Sequence, residues 1–303
     1  ERHSSKFLIF FFSAFCLSII IGITTHKLFD ALTIISTILF VISISNVNFR
    51  KVLILWTVSI VLLMISIYGL LKLGIIENTL RVQLGGRFRF SQGYQYVSLG
   101  ANYLFHLTLV YLYLRKSKIR LSEILMLGIL NYYFYVNTDT KSAFFLSILA
   151  LVLVYIFKNK VVSQKILNAI GKITLTAGIL IPIILTYFYN ANSKLFQILN
   201  VALTGRLSLG HKTLSLYGVH MFGQRIDWEL QQRATSVFDN YLYVDSSFVN
   251  ILLHYGVILL VVIWYSFYQL NKKGHFNTVE MLIFIVLINK FLHSSENQKS
   301  HYR

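Results

Sequence analysis

The sequence predicts an all-α fold: a polytopic transmembrane helix bundle of about nine spans, with a large, partly helical extracytoplasmic loop. Three observations predict it. Of the 303 residues, 56% are hydrophobic and only 13% are charged, against about 25% charged in a soluble domain. Apolar runs of about 20 residues, the length that crosses a bilayer core, recur along the whole chain. Lys and Arg collect in alternate short loops between those runs, as they do in cytoplasmic loops.

In order, the expected spans cover residues 6–25, 28–45, 52–73, 96–114, 121–136, 142–157, 173–189, 248–270 and 278–292. The chain opens on Glu1 and not on Met, so further residues are expected upstream. Residues 7–25 have the apolar look of a signal peptide. No small-residue cleavage site follows, so they read as a retained first helix. Arg2 and Lys6 precede that helix, and Arg50 and Lys51 separate the second and third spans. Arg115, Lys116, Lys118 and Arg120 separate the fourth and fifth. Lys158, Lys160, Lys165 and Lys172 lie between the sixth and seventh, and Lys272 and Lys273 between the eighth and ninth. These loops share one side, which places the N-terminus in the cytoplasm. Residues 1–303 then read as a single integral membrane domain, with outer loops at 74–95 and, much larger, 190–247.

Composition also narrows the chemistry. The net charge of +17 would suggest nucleic acid in a soluble chain; here it reads as cytoplasmic loops lying on anionic lipid, and no nucleic-acid partner is expected. The single Cys, Cys16, sits in an apolar run and leaves no disulfide framework or Cys-based metal site. No Walker P-loop, His-Glu-x-x-His, acidic metal cluster or Gly-x-Ser-x-Gly elbow occurs, so neither metal nor cofactor is expected.

Long outer loops escape the positive-inside rule, yet their cations need a reason. The first holds Arg81, Arg87 and Arg89, and the second Lys194, Arg206, Lys212, Arg225 and Arg233. Guanidinium groups match two phosphate oxygens at once. Residues 200–217 read as one helix with Leu203, Leu207 and Leu214 on an apolar face and Arg206, Gly210, Thr213 and Tyr217 on another. Arg206 then either points toward whatever the loop covers or is a solvated surface group. Polar stripes mark two spans: Ser98, Asn102 and His106 in the fourth, and Ser246, Asn250 and His254 in the eighth. Such stripes line a cavity or join helices by hydrogen bonds. Asp245, Ser246 and Ser247 are also placed to cap the helix that follows. The turn at 137–142 is dense in polar groups, among them Asp139 and Lys141, which either pair or line the same outer cavity.

Together these segments resemble the Wzy-type oligosaccharide repeat-unit polymerases, relatives of the O-antigen ligases. Thr204-Gly205-Arg206-Leu207, followed by Tyr217-Gly218-Val219-His220-Met221-Phe222-Gly223-Gln224, resembles the start of the large outer loop in that family. Val244-Asp245-Ser246-Ser247-Phe248-Val249-Asn250 with Leu252-Leu253-His254-Tyr255-Gly256-Val257 resembles the helix that re-enters the membrane. Arg89-Phe90-Ser91-Gln92-Gly93-Tyr94 resembles the Arg-bearing segment before the fourth span, and Thr138–Ser142 a turn that often carries Arg, here Lys141. The likeness covers about residues 80 to 260. Two positions depart from it: Asp245 stands where the ligases have His, and Ser246 where Asn is usual.

The resemblance implies a metal-independent bacterial cell-membrane glycosyltransferase. Undecaprenyl-diphosphate-linked oligosaccharides, already at the outer face, would be joined into capsule, exopolysaccharide or O-antigen polymer. A flippase and a chain-length regulator are the implied protein partners. Arg206, Arg225, Arg87, Arg89 and Lys141 would hold the diphosphate, Asp245 or His220 would serve as base, and Asn102, His106, Asn250 and His254 would line the cavity. Inversion at the anomeric carbon is expected from the same likeness. Three rivals remain: a ligase attaching finished polymer to an acceptor, a flippase for the same lipid-linked sugars, and a structural subunit. A transporter would favour paired halves with broken helices, and neither internal symmetry nor more than one Pro is present.

Overall fold

A computed structural model of the chain describes residues 5–44, 47–83, 87–203, 205–226, 244, 246–274 and 276–291. It is mostly helical, with two short strands. The expected spans fall on helical segments, with most ends displaced by a few residues; the seventh helix begins nine residues early, at Gln164, and takes in Lys165 and Lys172, and the eighth is interrupted. Three helical stretches are long and apolar enough to cross a membrane: Phe49–Lys72, Gln164–Tyr187 and Ser247–Lys272. The first has mean hydropathy 2.4 and no buried residue. Ile54, Leu55, Leu62 and Ile65 stand exposed along it. Helices with exposed apolar surface on this scale belong in lipid.

The chain divides into two compact units. One comprises Val47–Gly171 and Gly274–Lys290, the other Glu1–Asn46, Lys172–Lys273 and Phe291–Arg303.

The first of these begins with α1 (Phe49–Lys72), started by the Asn48 side chain, which accepts the Arg50 N–H. Its end is closed by Gly74 N–H to Leu71 and Ile75 N–H to Leu70. The loop at 74–95, expected without strands, contains an antiparallel hairpin of β1 (Leu80–Gln83) and β2 (Arg87–Phe90). Arg81 faces Arg89 across it, and Leu80 faces Phe90. Alternate residues point to opposite faces of a strand, so one face is cationic and the other is apolar and exposed at Leu80, Phe88 and Phe90.

Helices α2 (Leu99–Arg115), α3 (Leu121–Thr138) and α4 (Lys141–Phe157) then pack together, with α5 (Thr278–Phe291) against them. Their core includes Phe105, Leu112, Leu151, Val154 and Val286. Inside it Asn131 Nδ2 donates to Thr108 Oγ1 at 3.1 Å, joining α3 to α2. At the end expected in the cytoplasm, Arg115 pairs with Glu123 and Lys116 with Glu280.

In the other unit, α6 (Ser5–Thr24) and α7 (Leu28–Ile44) form a helical hairpin. Gly22 lets them approach, because a Cβ there would lie 2.7 Å from that of Ala31. Helix α8 (Gln164–Tyr187) leads into the large outer loop. The single helix expected at 200–217 is two: α9 (Lys194–Ala202) and α10 (Arg206–Tyr217). Gly205, at φ 82°, breaks the ladder between them. The freed groups find partners locally. Gly205 N–H donates to Asn200 O, and the Asn200 side chain accepts the Ser208 N–H at 3.1 Å. The buried face of α10 is Leu207, Gly210 and Thr213, so the small residues and not the leucines alone meet the protein. A Cβ on Gly210 would stand 2.9 Å from Thr186 of α8, which explains the choice of glycine.

After residue 246 the chain re-enters as α11 (Ser247–Asn250), runs into a π-helical turn (Ile251–Tyr255), and resumes as α12 (Gly256–Lys273).

Candidate functional site

The restart of that helix is built by two glycines. Gly256 has φ 89°, and a Cβ on it would lie 2.3 Å from Gly223 N. A Cβ on Gly223, at φ 87°, would lie 2.4 Å from His254 O. Breaking a helix leaves backbone groups without their ladder partners, and segment 220–224 supplies replacements. Gln224 N–H donates to His254 O, while Val257 N–H and Ile258 N–H donate to His220 O and Met221 O, each at 3.1 Å. The Gln224 amide adds bonds to Gly218 O and Leu253 O. Thr24 of α6 donates to Phe222 O at 2.8 Å.

Beside this break lies a buried, hydrogen-bonded His–Asp pair. His254 Nε2 is 3.0 Å from Asp30 Oδ2, with the imidazole 2% exposed. Asp30 sits in the first turn of α7, where a carboxylate complements the helix dipole. A carboxylate only accepts, so Nε2 carries the proton and Nδ1 presents a lone pair. Nδ1 is buried with no hydrogen-bond partner among the described residues, as are Asn250 Oδ1 and Ser246 Oγ. Ser246 therefore does not cap α11 through its side chain.

A second polar cluster belongs to the other unit. Arg89 Nε donates to Thr138 O at 2.7 Å, and its terminal nitrogen to Thr140 Oγ1 at 3.3 Å. Asp139, left-handed at φ 46°, ends α3 there and leaves that carbonyl open to a cation. Lys290 of α5 is buried, 4% exposed, and donates to Asn102 Oδ1 at 2.7 Å and Ser142 Oγ at 3.3 Å. Arg89 and Lys290 thus meet the same 138–142 turn, on either side of Lys141, which is exposed.

No family model, curated protein or solved structure matches the chain.

The sequence-predicted residues fall as follows. Arg89, Lys141 and Asn102 gather around the 138–142 turn. His106 bonds through Nδ1 to Asn102 O within its own helix. Asn250 precedes the π-helical turn and His254 lies within it. His220 contributes its backbone to the helix break, and its side chain is exposed. Arg206 begins α10 and Arg225 is exposed. Arg87 begins β2. Asp245 lies outside the described residues, as does Arg233. Asp30 and Lys290 were missed. Each had a signal: Asp30 is an acid inside an expected span, and Lys290 is a cation at the outer end of one, against the positive-inside pattern.

Proposed function

We propose that this chain is a multi-pass bacterial membrane glycosyltransferase of about nine spans. It polymerises undecaprenyl-diphosphate-linked repeat units at the outer face, with the N-terminus in the cytoplasm. The observation that carries this reading is the convergence of Arg89 and Lys290 on the 138–142 turn beside Lys141. A cationic cluster at a helix-bundle end suits a diphosphate. Neutralising its charge makes it a good leaving group, and fixed cations strengthen as charge develops. The energy resides in the sugar–phosphate bond, so no nucleotide is required. Arg206, Arg225 and Arg87 remain the contacts to a lipid diphosphate that the resemblance implies.

Cells lacking the protein provide the test. Their lipid-linked and surface glycans are sized on a gel, with wild type, Arg89→Ala or Lys290→Met restored. Wild type should return a ladder from single repeat units. Each variant should leave single units while its membrane level stays normal. A normal ladder from both variants overturns the diphosphate assignment. Full-length polymer stranded on its carrier in the deletion identifies a ligase.

A second reading has one observation in its favour. A long apolar helix broken at Gly256 beside a buried His–Asp pair is a construction found in transporters. Repeat units trapped on the inner leaflet of deleted cells would establish it.

A further inference from the structure

We propose that Ser246, Asn250 and His254 form a subsite for sugar hydroxyls. There, His254 Nδ1 takes the proton of the attacking hydroxyl and Asp30 is its positioning residue. The proposal rests on the glycosyl-transfer reading above and names the acceptor side of it. Folded chains leave few buried polar atoms without partners. Here three such atoms lie at i, i+4 and i+8 of one re-entering segment: Ser246 Oγ, Asn250 Oδ1 and His254 Nδ1. Ser246 precedes the helix, Asn250 ends its α-helical turn and His254 lies in the π-helical turn, so the three follow one another along the segment. Two of the three are acceptors. A ligand that completes them brings hydrogen-bond donors, as the hydroxyls of a sugar do, and neither an anion nor an apolar chain does so.

The imidazole is prepared for more than binding. Its Nε2–H is held by Asp30 at 3.0 Å, which fixes the ring and the tautomer. A sugar hydroxyl is a weak nucleophile, and a positioned base removes its proton as it attacks. The acceptor oxygen then bonds the anomeric carbon of a lipid-linked donor, and the carbon–oxygen bond to diphosphate breaks. The electron pair leaves on the diphosphate, the proton stays on Nδ1 and is later lost to water. The π-helical turn at 251–255 takes His254 out of the regular α-helical ladder, a distortion often met at functional sites.

The test uses the full chain in proteoliposomes, supplied with lipid-linked repeat units extracted from cells lacking it. His254→Gln keeps a donor for Asp30 and deletes the base. It should lower kcat about a hundredfold or more and leave KM unchanged, whereas Asn250→Ala should chiefly raise KM. Asp30→Asn should lower kcat and shift the tautomer signal of His254. Wild-type protein labelled with 15N-histidine gives a reading that survives a misfolded variant. The Nδ1 resonance of His254 should be that of an unprotonated nitrogen and should move when oligosaccharide released from the carrier by mild acid is added. Polymer made at the wild-type rate by His254→Gln overturns the proposal. A wild type that makes no polymer, yet shows the sugar-induced shift, overturns glycosyl transfer and upholds the sugar subsite. Absence of both sinks the two together.

Discussion

At position 100 the reason for glycine is contact. A Cβ there would lie 2.6 Å from Tyr94 Cε2 and 2.7 Å from Phe134 Cε1. The Tyr94 ring is buried against the start of α2, and burial pushes its hydroxyl up to about 12. Gly100→Ala should destabilise the protein by about 1–3 kcal/mol through overpacking, read as a lower Tm in detergent. Asn131 is a buried amide spanning two helices, and Asn131→Ala should cost about 1 kcal/mol, the scale of an interhelical bond in a membrane bundle. An unchanged Tm for both would mean that α2 and α3 do not pack as described. Asp30 and His254 belong to a different class. Substitutions there are expected to act on turnover more than on folding, since three buried polar atoms in their segment lack partners among the described residues.

At the scale of elements, the re-entering helix and the 220–224 segment form one construction. Gly256→Ala places a side chain at φ 89° and 2.3 Å from a backbone nitrogen. Neither strain is relieved by a rotamer change, so the variant should fail to accumulate in the membrane. Gly128 provides the contrast: it lies in α3 with nothing within 4 Å of an added Cβ. Gly128→Ala should be neutral or stabilise by up to about 1 kcal/mol, through helix propensity. Equal accumulation of the two variants would remove the case for the break. The hairpin at 80–90 shows how an element is missed. Its alternation of Leu80, Arg81, Val82 and Gln83 against Arg87, Phe88, Arg89 and Phe90 is period-two, but it lies in a loop judged by its charge alone.

At the scale of the whole molecule, cysteine labelling reads which side of the membrane each loop occupies. Cys16 is the chain's single cysteine, so Cys16→Ser gives a background without thiols. Cysteines placed at the exposed positions 77, 118 and 194 report in turn on the first outer loop, a cytoplasmic loop and the large outer loop. A membrane-impermeant maleimide added to intact cells should label 77 and 194, and label 118 only after permeabilisation. The reverse pattern would invert the topology and with it the outer-face reaction.

Segment lengths and composition are one-dimensional quantities, and the sequence by itself determined what depends on them. The helices, their approximate ends, the apolar runs and the cation placement were all legible, because bilayer thickness and backbone desolvation constrain each segment separately. The polar pattern at residues 246, 250 and 254 was legible too, though not as one α-helical face, because Ser246 precedes the helix and His254 lies in a π-helical turn. Its partner was not. Asp30 meets His254 across 224 residues of sequence, and Lys290 meets Asn102 across 188. Periodicity states which side of a helix is polar and carries no information on which helix will face it. The breaks at Gly205 and Gly256 were likewise hidden, because glycine is tolerated within a helix. At Gly205 the Asn200 side chain satisfies the interrupted ladder locally, and at Gly256 only the 220–224 backbone, brought in by tertiary packing, does so.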